Sequence, residues 1–238
     1  GETGKVLIYP SQLDNFIKCP LHWFMQAHGG SESTFETNFG TLLHKVLEET
    51  KSISYDELWR GVESKWNTLE FEATWVEKKE LRKAQKMVER LSNYLAGQKA
   101  AGYELVGTEV KIDFELGRAR VKGRIDRIEQ GPDGKVRIID LKTGASEPEA
   151  KENPQLGLYQ IAYLQKGLEG LTELEGNLEG ASLVWVGENK PTNEAKLKKQ
   201  ESLKTNPELD VLFRGFIDEA IIGMSAADAK FGAKIGSH

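Results

Sequence analysis

The stretch that decides the fold is Gly123-Arg-Ile-Asp126-Arg-Ile-Glu-Gln-Gly131-Pro-Asp-Gly134-Lys135-Val-Arg-Ile-Ile-Asp140-Leu-Lys142-Thr-Gly144. Two arms rich in β-branched and charged residues flank Gly131-Pro132-Asp133-Gly134, where Pro132 pre-sets φ and Gly134 tolerates a positive φ. The pattern predicts an antiparallel hairpin with Asp126 and Asp140 on neighbouring strands. Side chains alternate along a strand, so Asp140 and Lys142 share one face while Ile139 and Leu141 take the other. Cross-strand pairing brings Asp126 to the same spot. Two carboxylates converging on one point repel unless a cation lies between them, and hard oxygen ligands suit Mg2+ or Mn2+. Beside such a metal a lysine can stabilise the negative charge of a phosphoryl transition state, or deprotonate or orient an attacking water. By itself Asp-x-Lys reads as a surface charge pair; Asp126 across a credible turn and the residues below change its weight.

The 238 residues suffice for one domain with a substantial core, read as a single mixed α/β unit spanning 1–238. Its parts are a helical region at about 11–98, a sheet core at about 103–187 and a C-terminal helix at about 208–223. A content of 39% hydrophobic and 29% charged residues is ordinary for a soluble globular protein. The apolar runs fall far short of the roughly 20 residues that span a bilayer, and no signal peptide is read. Cys19 is the sole cysteine. That excludes an internal disulfide and a complete cysteine-ligated cluster within this chain, and it fits a reducing cytoplasm. The formal net charge of -5 argues against nucleic acid only if the total governs binding, and local patches govern it instead. Candidate patches are Lys78, Lys79, Arg82, Lys83, Lys86 and Arg90 on one helix, and Lys190, Lys196, Lys198, Lys199 and Lys204 further on. Acidic residues are mixed into both, so each alone reads as a solvated face.

Outward from the hairpin towards the N-terminus, Glu109 lies on a strand that starts after Tyr103 and turns near Gly117. It reads either as a third carboxylate at the metal or as a solvent-facing strand-edge residue. Residues 55–98 carry Trp59, Trp66, Trp75, Leu81, Met87 and Leu91 at spacings of one or two amphipathic helices, with the tryptophans read as core and Gly97 and Gly102 as terminators. Before them, Gly40-Thr-Leu-Leu-His44-Lys-Val-Leu-Glu48 shows an apolar stripe of Leu42, Leu43, Val46 and Leu47, with Asn38 or Thr41 as cap. His44 and Glu48 share a different edge of that helix, and Gly40 permits a close backbone approach. The chain opens with a short helix capped at Ser11 that stops before Pro20, then a second carrying His22, Trp23 and Phe24. Phe16, Trp23 and Phe24 read as packed together, with His22 and His28 weighed as metal ligands and set aside for core packing.

Towards the C-terminus, Asn153-Pro154-Gln155-Leu-Gly-Leu-Tyr159 starts a helix at Pro154 and sets Gln155 and Tyr159 on one face. There an amide and a phenol can bond a phosphate or hold the lysine, or else serve as an exposed polar group and a core residue. Glycines 167, 170, 176 and 180 mark a loop before Ala181-Ser-Leu-Val-Trp-Val, read as a buried strand at the sheet edge. A lysine-rich loop follows, then the helix at 208–223 with Val211, Leu212, Phe216, Ile217, Ala220 and Ile221 inward. The segment 224–238 carries little pattern.

Taken together, Gly40-Thr-Leu-Leu-His44, Gly123-x-x-Asp126, Asp140-x-Lys142 and Gln155-x-x-x-Tyr159 resemble the PD-(D/E)XK nuclease superfamily. The closest likeness is to RecB-type nuclease domains of bacterial helicase-nucleases of the AddAB and AdnAB types. The resemblance implies a restriction-endonuclease-like mixed sheet flanked by helices. It implies a divalent metal, Mg2+ or Mn2+, on His44, Asp126, Asp140 and the Leu141 carbonyl, with Lys142 catalytic and Gln155 and Tyr159 in support. The implied reaction is hydrolysis of DNA phosphodiester bonds, exonucleolytic and on single strands, in repair or recombination. The implied partners are DNA, a helicase domain in the same polypeptide and a second helicase-nuclease subunit, in the bacterial cytoplasm and away from membranes. Many such relatives hold a four-cysteine iron-sulfur cluster. Here Cys19-Pro20 matches the early position and no later cysteine follows, so Gly236-Ser-His238 is expected to end the chain short of that segment or to be a cloning remnant. The alternatives are a non-catalytic DNA-binding or scaffold module of the same fold, and a free-standing nuclease without a helicase.

Overall fold

The computed structural model describes residues 5–29, 34–69, 71, 73–187 and 192–225. The hairpin forms as expected. β3 (Ala119–Gln130) and β4 (Val136–Lys142) pair antiparallel from Gln130↔Val136 to Arg127↔Ile139. Gly134 turns the chain at φ 75, and its N–H donates to the Gly131 carbonyl at 2.9 Å. The register is fixed by burial. Ile128 faces Ile138 with neither exposed, and each such side chain contributes about 1.5–3 kcal/mol of transfer free energy.

Six strands make one mixed sheet in the order β1-β3-β4-β5-β6, with β2 alongside β3. β1 (Val6–Ile8) runs parallel to the start of β3, and β2 (Glu104–Leu116) lies antiparallel along its other edge. β5 (Leu178–Trp185) is parallel to β4, and β6 (Lys196–Glu201) is antiparallel to β5. The segment expected as an edge strand is therefore interior. The lysine-rich segment after it holds β6, whose alternating lysines pair with Glu147 and so read as loop by composition.

Helices cover both faces. α1 (Pro10–Lys18), α6 (Pro154–Leu164) and α7 (Pro207–Ser225) close over one core, built on Leu13, Phe16, Ile125, Ile138, Leu156 and Phe213. α3 (Phe35–Thr50), α4 (Tyr55–Lys65) and α5 (Thr74–Ala100) close over the other, built on Phe39, Leu43, Trp66, Val88, Ile139 and Leu141. α2 (Pro20–Gly29) follows α1 directly, and a short 3-10 turn, Trp66–Thr68, follows α4. Two glycines set how closely the layers meet at the hairpin. A Cβ at Gly40 would lie 2.6 Å from Thr143 Oγ1, so α3 reaches the end of β4 only with glycine there. A Cβ at Gly157 would lie 2.4 Å from Phe213, so α6 is held against α7 in the same way.

Several local expectations shift. α1 begins one residue earlier than its expected cap, with Pro10 at its first position after Tyr9, because proline's fixed φ already suits a helix start. Thr34, not Asn38 or Thr41, caps α3 by accepting from the Thr37 N–H at 3.3 Å. Gly97 is an ordinary helical residue of α5, and Gly102, at φ 83, is the terminator. Trp75 is 71% exposed, Phe24 38% and Val211 70%, so none of these three is core. The side chain of His28, Lys190 and the segment 226–238 lie outside the described residues.

Behind the hairpin lies a buried charge network that the sequence pattern did not reveal. Glu129 and Arg137 are register partners, 1% and 3% exposed, joined by a 2.5 Å hydrogen bond. Arg127 Nε donates to Glu129 at 2.6 Å, Arg137 donates to Gln98 at 2.8 Å, and its guanidinium lies 3.8 Å over the Tyr103 ring. Removing one member of such a pair leaves an uncompensated buried charge. Glu129→Ala is expected to cost about 3–5 kcal/mol in urea unfolding.

Candidate metal centre and active site

The site forms where the sheet opens. β2 occupies one edge of β3 throughout, while on the other edge β1 pairs with 119–121 and β4 with 127–130. Between them, 122–126 have no ladder partner on that edge among the described residues. Asp126 bridges the opening: its Oδ2 accepts the Leu141 N–H at 2.6 Å, supplying with a side chain the bond that a backbone carbonyl would otherwise make.

Across β3, Glu109 faces Asp126 with a left-handed backbone, φ 49. For a residue with a Cβ that conformation is costly and is retained where surrounding structure enforces it. α3 brings His44 over both. Its Nδ1 lies 3.4 Å from Glu109 Oε1 and 3.7 Å from Asp126 Oδ1, and the three ligand atoms fall within 4.8 Å of one another. Burial disfavours the imidazolium, but the Asp126 and Glu109 carboxylates outweigh it and raise the His44 pKa to about 9. Burial and then the charge of Asp140 push the Asp126 carboxyl up, against the pull of His44 and the Leu141 N–H. A cation among these groups would relieve both repulsions.

A second set adjoins this one. Asp140 is 2% exposed, and its Oδ1 accepts from Gln155 Nε2 at 2.9 Å. The same Nε2 donates to the Tyr159 hydroxyl at 2.9 Å, and Gln155 Oε1 accepts from Lys142 Nζ at 2.9 Å. A lysine only donates and a carboxylate only accepts, so the amide has a single orientation that serves both. Asp140 Oδ2 is buried and accepts no hydrogen bond; Lys142 Nζ lies 2.8 Å away without hydrogen-bond geometry. Burial favours loss of the Lys142 proton, but Asp140 overrides it and holds the ammonium pKa above its ordinary value. Burial keeps the Tyr159 phenol neutral.

His44, Asp126, Asp140, Lys142, Gln155 and Tyr159 thus converge from four elements. Asp140 stands just outside the tight His44–Glu109–Asp126 group, yet its charge acts on both His44 and Asp126. Leu141 contributes its N–H to Asp126 and its side chain to the core under α3. The donor set fits a divalent cation: one imidazole and three carboxylates. Glu109, left open between two roles by the sequence, belongs to the group; its signal is a backbone twist no residue pattern displays. Arg124 stands at the rim, 3.9 Å from Glu109 Oε2. His22 lies beside Gln26 instead, at 3.4 Å. Cys19 is half-buried after α1, and with one cysteine in the chain its residues do not build a four-cysteine cluster. Arg90 leaves the basic patch: it is buried and donates to the Val186 carbonyl at 2.7 Å.

In EDTA-treated protein, the His44 ring is expected to titrate near pH 9 by NMR, and a divalent cation to move that midpoint down. The folded pKa exceeds the ordinary 6.5, so the stabilisation is complete below 6.5 and is lost as pH rises through about 9. His44→Gln is expected to remove that component of the pH dependence; an ordinary midpoint in the wild type would contradict the clustering.

A model of the PD-(D/E)XK nuclease superfamily matches residues 9–234. A comparison with curated proteins gives no match. Among solved structures, one described as "Crystal structure of SSO0001" is 15% identical, covers 94% of this chain and 78% of that chain, and has a TM-score of 0.39. No described helix is long and apolar enough to cross a membrane. Since the family match runs from before α1 to beyond α7 and takes in strands β2 to β6 and the opening, the chain belongs to the PD-(D/E)XK nuclease superfamily.

Proposed function

We propose that the chain is a divalent-metal-dependent nuclease that hydrolyses DNA phosphodiester bonds at the β3–β4 opening. Members of its superfamily are generally metal-dependent nucleases. The observation that carries the proposal is local: a half-buried lysine ammonium, ion-paired with a buried Asp140 oxygen, adjoins a group of three side chains able to hold a metal. His44, Glu109, Asp126 and Asp140 would hold Mg2+ or Mn2+, with the Leu141 carbonyl as a further oxygen donor. The imidazole makes Mn2+ more acceptable than an all-oxygen site would. When bound, the metal supplies Lewis-acid polarisation of a phosphoryl oxygen and lowers the pKa of a coordinated water.

The chain's own residues supply the rest. Lys142, held beside Asp140 and Gln155, is placed to set a positive charge against the phosphoryl oxygens or to orient an attacking water. Gln155 holds Lys142 and Asp140 at their separation and is itself held by Tyr159. Asp126 fixes the opening of the strands through one oxygen and would offer the other to the metal. The finer reading is exonucleolytic degradation of single strands in repair or recombination, beside a helicase motor in the same polypeptide or a partner subunit. Support for it is the likeness of the four motifs to RecB-type domains.

End-labelled single- and double-stranded DNA, incubated with EDTA, Mg2+ or Mn2+, tests both levels. Cleavage is expected only with metal, with roughly 100-fold or greater loss in Asp140→Ala and Lys142→Ala. Gln155→Leu is expected to lose about 10- to 100-fold. A folded wild-type chain that binds DNA and never cuts it would favour the scaffold module instead.

A further inference from the structure

α5 carries an outward surface that the cleavage site does not use. Trp75 stands 71% exposed near its start. Lys78, Lys79, Arg82 and Lys86 follow, all exposed. At 3.6 residues per turn these five side chains fall within about 100° of arc and run for about 16 Å along the helix. None of the four cations makes a hydrogen bond or ion pair with another described residue.

The helix's own carboxylates do not neutralise the stripe. Glu77 accepts from Trp66 Nε1 at 3.2 Å, Glu80 is buried against Lys83 at 3.0 Å, and Glu89 accepts from Asn193 at 2.8 Å. Glu77 and Glu80 are engaged on other sides, while Glu89 falls within the same arc and is taken up by Asn193, so among the described residues the stripe sets four cations against one carboxylate in a chain whose formal net charge is -5. The stripe also lies near the active strand's end. Lys83, on the adjoining flank, reaches Glu36 of α3 at 3.5 Å, and the Glu36 carbonyl accepts from Thr143, the residue after Lys142, at 3.0 Å.

We infer that this face of α5 binds single-stranded nucleic acid, with the cations on successive phosphates and the Trp75 indole stacked on an unpaired base. Charge complementarity selects a polyanion, and an exposed indole set among the cations selects one with free base faces, since stacking tolerates any sequence but needs an unpaired base. The inference draws on the nuclease reading for its substrate, yet it concerns binding and does not require a working metal centre.

The test is fluorescence anisotropy of a labelled oligothymidylate with the whole chain in EDTA, so that failure of catalysis does not affect the outcome. Trp75→Ala is expected to weaken binding roughly 5- to 150-fold, and Trp75→Phe to restore most of it. Reversal of Lys78, Lys79 and Arg82 to Glu is expected to lower the slope of affinity against salt by roughly 2. All four positions are exposed, and unchanged thermal unfolding of the variants checks that folding is intact. Wild-type affinity in Trp75→Ala and in the charge-reversed variant would overturn the inference, as would tighter binding of duplex than of single strand.

Discussion

One carboxylate holds the structure at the point where its strands part. The β3–β4 ladder makes its last backbone pair at Arg127↔Ile139, and the next N–H, from Leu141, is taken by Asp126. Without that bond Leu141 would have a buried donor unmet, at a cost of about 1–3 kcal/mol. With it, the strands can diverge and leave a gap wide enough for side chains from α3, β2 and α6 to converge. The same carboxylate therefore closes the backbone's hydrogen-bond accounts and shapes the site.

The charges gathered there are unfavourable in the bare chain. Asp140 raises the proton affinity of Asp126, and Glu109 sits in a strained backbone conformation. His44 and Lys142 offset part of this by keeping their protons. A cation would do so more completely. The stabilising structure lies around the site: two hydrophobic cores, one on each face of the sheet, and the Glu129–Arg137 pair behind the hairpin. Local strain persists at functional sites when surrounding contacts over-determine it.

Much of this was legible in the residues. Alternation along 123–142 and the Pro132–Gly134 turn point to the hairpin and to the shared face of Asp140 and Lys142, while the ladder stops at Arg127↔Ile139 and Asp126 reaches β4 through its side chain alone. Pro154 and the four-residue spacing of Gln155 and Tyr159 place both on the helix that packs there. The parts that escaped depend on tertiary context. Glu109 joins the site through a positive φ that a glutamate does not advertise, and β6 was hidden because lysines paired with Glu147 mimic a solvated loop. Trp75 has the spacing of a core residue, yet the shape of α4 and the turn after it leaves it in solvent while Trp66 fills the core.

The most direct test of the central claim is calorimetric titration of Mn2+ into the metal-free chain and into Asp126→Asn. Asparagine keeps an oxygen for the Leu141 N–H and removes only the charge, so the fold is retained. Saturable binding in the wild type, weakened at least about 10-fold in the variant, is the expected result. Equal binding by both, or none by either, would show that the opening between β3 and β4 gathers its carboxylates for some purpose other than holding a metal.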